Sequence, residues 1–97
     1  MRFQLRIYSI KDGRLDEFVE FWRAEIVPLR RRFGFEVAGA WADAETLTFA
    51  WVVGHSDFDR AAADYYDSPD RKRLSRDPGE FIESAELRMM DSVRADA

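Results

Sequence analysis

The first residues of the chain alternate between apolar and polar side chains, which is the pattern of a β-strand with two different faces. One face carries Phe3, Leu5 and Ile7, and the opposite face carries Arg6 and Tyr8. The pattern predicts an N-terminal strand, and we expect its apolar stripe to pack against helices.

The period then changes to three or four residues, which indicates a helix with one buried face. Its apolar positions are Leu15, Phe18, Val19, Trp22, Ile26, Leu29 and Phe33. Three arginines at 30–32 suit the negative end of the helix dipole, and Gly34 predicts a left-handed cap. Because Pro28 lacks a backbone donor, we expect a kink there or a second short helix that begins at Pro28.

Two further alternating segments, residues 35–41 and 47–53, are joined by a short polar connection and predict a hairpin. In each segment one face carries large side chains and the other face carries small ones. The small face includes Ala38, Ala40, Thr48 and Ala50. Because neither face is strongly polar, we expect the small-residue face to be covered by a second copy of the chain.

The second half predicts a helix over 58–66 capped by Ser56, a shorter helix from Pro69 capped by Ser68, and a strand over 81–90. The resulting order is β-α-β-β-α-β. This order predicts a single α+β domain over residues 1–93, followed by a frayed tail at 94–97. The expected fold is ferredoxin-like, with a four-stranded antiparallel sheet that pairs with a second copy into a dimeric α/β barrel.

Composition narrows the class of protein. The chain has 97 residues, 46% of them apolar, no cysteine, and a net charge of 15 − 19 = −4. Such a chain forms one compact core without disulfides. A mild acidic excess does not favour nucleic acid or anionic membranes, and no apolar run has membrane-spanning length. We therefore expect a cytoplasmic protein whose partner is itself.

Several segments together resemble the NIPSNAP family. They are residues 3–8, 12–18 with Trp22, the Gly39-Ala40-Trp41 element, Trp51, and residues 65–71. The resemblance implies a dimeric α/β barrel similar to the small antibiotic-biosynthesis monooxygenases. That wider superfamily contains cofactor-free oxygenases and cyclases, heme-degrading enzymes, and proteins without an assigned activity. Many NIPSNAP members carry a histidine in the third strand. Residues 47–51 of this chain contain none, so no role of that histidine is assigned to this chain.

His55 is the only histidine and therefore one candidate for acid–base chemistry. It lies between Gly54 and Ser56, where a loop or capping role is the alternative. A metal or heme site needs several ligands, so one histidine without any cysteine argues against both. We expect no metal and no cofactor.

Arg6 interrupts an apolar strand, and a buried arginine needs a partner. Because the first and last strands are neighbours in this topology, we expect Arg6 to pair with Glu86. The alternative is that Arg6 anchors a carboxylate or an enolate of a ligand.

The remaining candidates are aromatic residues that form either the core or the lining of a ligand pocket. They are Tyr8, Trp22, Trp41, Trp51, Tyr65 and Tyr66. Tyr65 or Tyr66 could supply a phenol for proton transfer. The catalytic candidates are thus His55, Tyr65 and Arg6, and the ligand-binding candidates are the other aromatic residues with Glu86.

Two functions remain open at this point. The first is a protein that binds a small hydrophobic or aromatic ligand and acts as a cofactor-independent oxygenase, cyclase or isomerase on an aromatic or polyketide-like substrate. The second is a non-enzymatic accessory or interaction module with a filled barrel. A cavity of about 300 Å³ or more with convergent polar groups would favour the first.

Overall fold

Four strands form one antiparallel sheet in the order β2-β3-β1-β4. The computed structural model describes residues 1–96, with strands at β1 (Arg2–Ile10), β2 (Glu36–Asp43), β3 (Thr48–His55) and β4 (Ile82–Asp91). Part of the tail predicted at 94–97, namely residue 97, lies outside the described residues. The order of elements and the α+β ferredoxin-like fold are confirmed.

The helices follow the predicted segments and pack on one face of the sheet. They are α1 (Leu15–Phe21), a π-helical turn (Trp22–Ile26), α2 (Val27–Arg32), α3 (Phe58–Asp67), α4 (Pro69–Lys72) and a 3₁₀ turn (Pro78–Glu80). Between helices and sheet lies a core rich in aromatic rings, in which Phe18, Trp51, Tyr65 and Phe81 are at most 1% exposed. Among residues 1–96, no helix is long and apolar enough to cross a membrane.

The irregularity expected at Pro28 is the π turn directly before it. The N–H of Val27 donates to the carbonyl of Trp22, five residues earlier, and Pro28 then occupies the first turn of α2. Because Pro28 has no backbone N–H, it leaves one hydrogen bond of the helix unmade, and this gap falls directly after the wider π turn. Helix α1 therefore continues through the turn into α2.

The predicted caps are partly correct. The hydroxyl of Ser68 accepts a hydrogen bond from the N–H of Arg71 at 3.1 Å, and Gly34 has a φ of +83°, as expected for a left-handed cap. Ser56 does not cap α3. The residue before that helix is Asp57, whose N–H donates to Nδ1 of His55 at 2.8 Å.

The faces of β1 are the reverse of the expectation. Tyr8 and Ile10 are buried under the helices at 5% and 2% exposure, and Arg6 shares their face. The alternating residues Phe3, Leu5 and Ile7 lie on the opposite side of the sheet. An apolar stripe shows that a face is covered, but it does not show whether helices or another molecule cover it.

A β-bulge changes the faces of β2. The pairing of β2 with β3 shifts between Val37 and Gly39, so Ala40 lies opposite Trp51 on the helix side. Trp41 pairs with Ala50 on the other side of the sheet and is 62% exposed. Ala40 was expected on the small-residue face, and that prediction is wrong because the bulge adds one residue.

The side of the sheet away from the helices is called the outer face below. Its apolar members are Phe3, Leu5, Ile7, Ala38, Trp41, Ala50, Val52 and Met90. None of the described helices covers this side, and Met90 is 38% exposed.

The predicted Arg6–Glu86 pair does not form. Across the β1–β4 ladder Arg6 lies opposite Leu87, and Glu86 lies opposite Ile7 on the outer face. Glu86 instead accepts a hydrogen bond from Nε of Arg88 on its own strand at 2.6 Å. The error follows from the reversed faces of β1, since Arg6 points towards the helices and Glu86 points away from them.

Candidate functional site

Arg30 is the only charged residue among residues 1–96 that is fully buried, at 2% exposure. It lies in α2, and its guanidinium carbon is surrounded by aromatic rings. The ring centroids are 4.1 Å away for Tyr65, 4.8 Å for Phe35, 5.4 Å for Tyr66 and 5.6 Å for Trp51. Ring faces stabilise a cation by about 0.5–2 kcal/mol each, and they do not use up its hydrogen-bond donors.

Most donors of Arg30 are left without a protein acceptor. Nη2 donates to the hydroxyl of Tyr66 at 3.0 Å, whereas Nε and Nη1 are buried and have no partner among residues 1–96. Burial lowers the pKa of this guanidinium from its ordinary value. A buried cation with two unpartnered nitrogen donors is suited to hold an anionic oxygen.

Arg6 brings a second guanidinium to the same place from β1. Its Nε donates to the hydroxyl of Tyr8 at 2.7 Å, and its Nη1 donates to the amide oxygen of Gln4 at 2.6 Å. The Tyr8 hydroxyl also accepts from Nε1 of Trp51 at 3.1 Å. Because both lone pairs of Tyr8 are then occupied, its own O–H is directed elsewhere as a donor.

Arg71 adds a third guanidinium from α4, with its carbon 5.3 Å from the ring centroid of Tyr66. Its Nε is buried and has no partner among the described residues. Within residues 1–96, none of Arg6, Arg30 and Arg71 forms an ion pair with a carboxylate. We call these three arginines with Tyr8, Tyr65 and Tyr66 the cationic cluster.

The two adjacent tyrosines differ in their ionisation. Burial raises the pKa of the Tyr65 phenol, which is 1% exposed. Burial also pushes the pKa of Tyr66 upwards, but the positive charges of Arg30 and Arg6 outweigh it, and the pKa of Tyr66 lies below its ordinary value. Tyr66 is 43% exposed, so its ring faces solvent while its hydroxyl contacts Arg30.

The cluster surrounds a cavity of about 30 Å³. Five other residues complete the lining, namely Phe18, Trp22, Ile26, Trp51 and Pro78. This volume accepts a group of one or two heavy atoms, such as a carboxylate or carbonyl oxygen, and not a whole aromatic ring. It is well below the 300 Å³ that would enclose a substrate.

The segment that carries Pro78 is attached to the first helical region by polar contacts. The hydroxyl of Ser75 is hydrogen-bonded to Glu25, and Nη1 of Arg76 contacts Glu17 at 2.5 Å. Arg76 also contacts Glu80 at 2.9 Å. These exposed contacts hold the segment over the cavity.

Of the residues named from the sequence, the structure brings Arg6, Tyr8, Trp22, Trp51, Tyr65 and Tyr66 to the cavity. Trp41 and Glu86 lie on the outer face, and His55 is not part of the lining. Arg30 and Arg71 were not among the candidates. Their buried, unpartnered nitrogen atoms make them central here.

His55 fastens the end of β3 to the end of the first helical region. Its Nε2 lies 3.1 Å from the carbonyl of Phe33, and its Nδ1 accepts from Asp57. These contacts fix the neutral tautomer with the proton on Nε2. His55 is also 5.0 Å from the ring centroid of Phe35.

We expect His55→Ala to lower the free energy of unfolding by about 1–3 kcal/mol, because two hydrogen bonds and a ring contact are lost. Urea denaturation followed by tryptophan fluorescence measures this. Arg60→Ala, an exposed change one turn further on, is the control and should change stability by less than about 0.5 kcal/mol. Equal stability of His55→Ala and the wild type would contradict the fastening role.

The fold and the cluster define a class: a ferredoxin-like α+β domain with buried guanidinium and phenol groups between its helices and its sheet. The NIPSNAP family profile matches residues 3–90. The chain therefore belongs to the NIPSNAP family, as the sequence resemblance predicted. None of the curated proteins matches it.

Solved structures of similar fold include an uncharacterised NIPSNAP domain protein from Burkholderia xenovorans, with 14% identity and a TM-score of 0.83 over 98% of this chain and 97% of that one. A NIPSNAP family protein from Agrobacterium tumefaciens has 16% identity and a TM-score of 0.83 over 97% and 94% of the two chains. An antibiotic biosynthesis monooxygenase has 17% identity and a TM-score of 0.71 over 97% and 100%. At such identities the similarity extends to the fold alone.

Proposed function

We propose that this protein binds a small organic anion, with the anionic oxygen in the cavity beside Arg30 and the apolar part of the ligand at its mouth. The observation that carries the proposal is the pair of buried, unpartnered nitrogen atoms of Arg30. Leaving such donors without an acceptor costs about 1–3 kcal/mol or more for a charged group. An anion would accept from one of them and neutralise part of the cluster's charge.

The small volume decides which part of the ligand enters. Only the charged group fits within about 30 Å³, so the body of the ligand must lie outside. Leu87 is directly opposite Arg6 on the helix side of the sheet and is 49% exposed, and the ring of Tyr66 is 43% exposed. These apolar surfaces suit a flat hydrophobic or aromatic group.

The second part of the proposal is that the protein acts as a homodimer through the outer face. The helices cover one side of the sheet, and the other side presents the apolar set that includes Leu5, Val52 and Trp41. A contiguous apolar patch of this kind on a small domain is typical of an interface. The cytoplasmic location expected from the sequence remains a prediction.

One observation favours the alternative, a non-enzymatic interaction module. The space between helices and sheet is almost filled, because the cavity is about 30 Å³. A packed interior would need no ligand. The two functions differ in whether the cationic cluster recognises an anion.

The test is isothermal titration calorimetry with benzoate and with its neutral analogue benzamide. We expect one benzoate per protomer, bound at least about 10-fold more tightly than benzamide, because a hydrogen bond to a charged group adds about 1.5–3 kcal/mol. Equal affinity for the two compounds would show that charge is not recognised. Absence of binding by both would favour the interaction module.

A further inference from the structure

We propose, on the basis of the anion-binding function above, that Tyr66 exchanges a proton with the carbon next to a carbonyl group of the bound ligand. In this proposal Arg30 holds the carbonyl oxygen while it carries negative charge. The substrate class is a carbonyl compound with an acidic C–H beside a flat apolar group, such as an arylpyruvate. The reaction is a keto–enol isomerisation or a step that begins with one.

The position of Tyr66 supports a role as a base. Its hydroxyl accepts from Nη2 of Arg30 at 3.0 Å, and Arg30 belongs to α2. Other charged or titratable groups near it are Arg6 from β1, Arg71 from α4 and Tyr65 from its own helix. Three cations surround Tyr66, together with the Tyr65 phenol, whose pKa is raised by burial. This environment favours the phenolate and lowers the pKa of Tyr66.

The neighbouring Tyr65 lacks the features of a base. It is 1% exposed, and burial raises the pKa of its phenol. Tyr66 is 43% exposed and reaches both solvent and the cavity. A proton-transfer group needs access to the ligand and a pKa closer to the working pH, and Tyr66 has both.

The step balances without a further reactant. The phenolate oxygen of Tyr66 takes the proton, and the electron pair of the C–H bond becomes a C=C bond. The π electrons of the carbonyl move to its oxygen, which accepts a hydrogen bond from the unpartnered Nη1 of Arg30. Return of the proton from Tyr66 to the same carbon, or to another carbon of the enolate, regenerates the phenolate. Nothing is oxidised or reduced.

The first test is an ultraviolet titration of tyrosine ionisation. In the wild type we expect one tyrosine to ionise below the ordinary value of about 10. That component should disappear in Tyr66→Phe and remain in Tyr65→Phe, the spectroscopic control at the adjacent position. If no tyrosine ionises early, or if the early component belongs to Tyr65, the proposal is wrong.

The second test follows deuterium exchange at the methylene carbon of phenylpyruvate by proton NMR in D2O. We expect the wild type to accelerate exchange and Tyr66→Phe to reduce that acceleration at least about 100-fold, the usual contribution of a positioned base. Asp67→Asn, the exposed next residue, is the matched control and should exchange like the wild type. Equal exchange by Tyr66→Phe and the wild type would overturn the role of Tyr66.

Benzoate binding separates this inference from the proposed function. Above the pKa of Tyr66 the phenolate repels an anion, so benzoate affinity should fall as the pH rises through that value in the wild type but not in Tyr66→Phe. If benzoate binds but the wild type does not accelerate exchange, the anion site stands and the proton-transfer proposal fails. If benzoate does not bind, both fail.

Discussion

Replacing Arg30 with methionine is expected to abolish benzoate binding while the domain stays folded. A charge-assisted hydrogen bond worth about 1.5–3 kcal/mol and the attraction of the buried cation for the carboxylate are both lost, so the affinity should fall at least about 100-fold. The unfolding free energy should stay within about 1–2 kcal/mol of the wild type or rise. Methionine fills the space between the four rings. The substitution also removes a buried charge, and this gain offsets the lost cation–π contacts.

Calorimetry with benzoate and urea denaturation measure the two effects separately. Arg31→Met is the matched control, because Arg31 is the next residue of the same helix and is exposed. It removes the same charge and should leave both affinity and stability nearly unchanged. If Arg30→Met unfolds the protein, Arg30 is a structural residue. If it binds benzoate normally, the anion site is not at Arg30.

Replacing Val52 with lysine is expected to convert a dimer into a folded monomer. Val52 lies on the outer face between Leu5 of β1 and Gly39 of β2, so its neighbours across both ladders are apolar. A symmetric interface would bury two such ammonium groups without partners, at several kcal/mol each. In the monomer the same lysine reaches water, so the fold itself should persist.

Sedimentation at micromolar concentration distinguishes the states, since the chain mass is 11.4 kDa and the dimer has twice that value. Ala44→Lys, in the exposed hairpin turn, adds the same charge and should leave the dimer intact. A wild type that sediments as a monomer, or a Val52→Lys variant that stays dimeric, would show that the outer face is not the interface.

The element order could be predicted from the sequence because periodicity and caps are local signals. The helical period from Leu15 and the Ser68 cap both led to the correct elements. The faces of the strands are not a local property. The bulge after Val37 changes the side on which Trp41 lies, and the β1 stripe matches the outer face rather than the helix side. Only the pairing of strands decides these positions.

The candidate site was predicted in part. Tyr8, Trp51 and Tyr65 were named because large aromatic residues on periodic positions are either core or lining, and here they are both. Arg30 was missed because the helix dipole already accounts for three consecutive arginines at the C-terminal end of a helix. The available signal was that Arg30 extends a row of apolar residues at steps of four, from Phe18 through Trp22 and Ile26.

The π turn at Trp22–Ile26 determines whether that row stays together. Twelve residues separate Phe18 from Arg30, which at 3.6 residues per turn leaves them about a third of a turn apart. A separation of eleven residues would make just over three full turns. The π turn takes up the additional residue, and both side chains reach the same cavity. The π turn thus accommodates one extra residue locally. In a NIPSNAP chain with one residue fewer in this segment, a regular α-helix would place the arginine against the same rings.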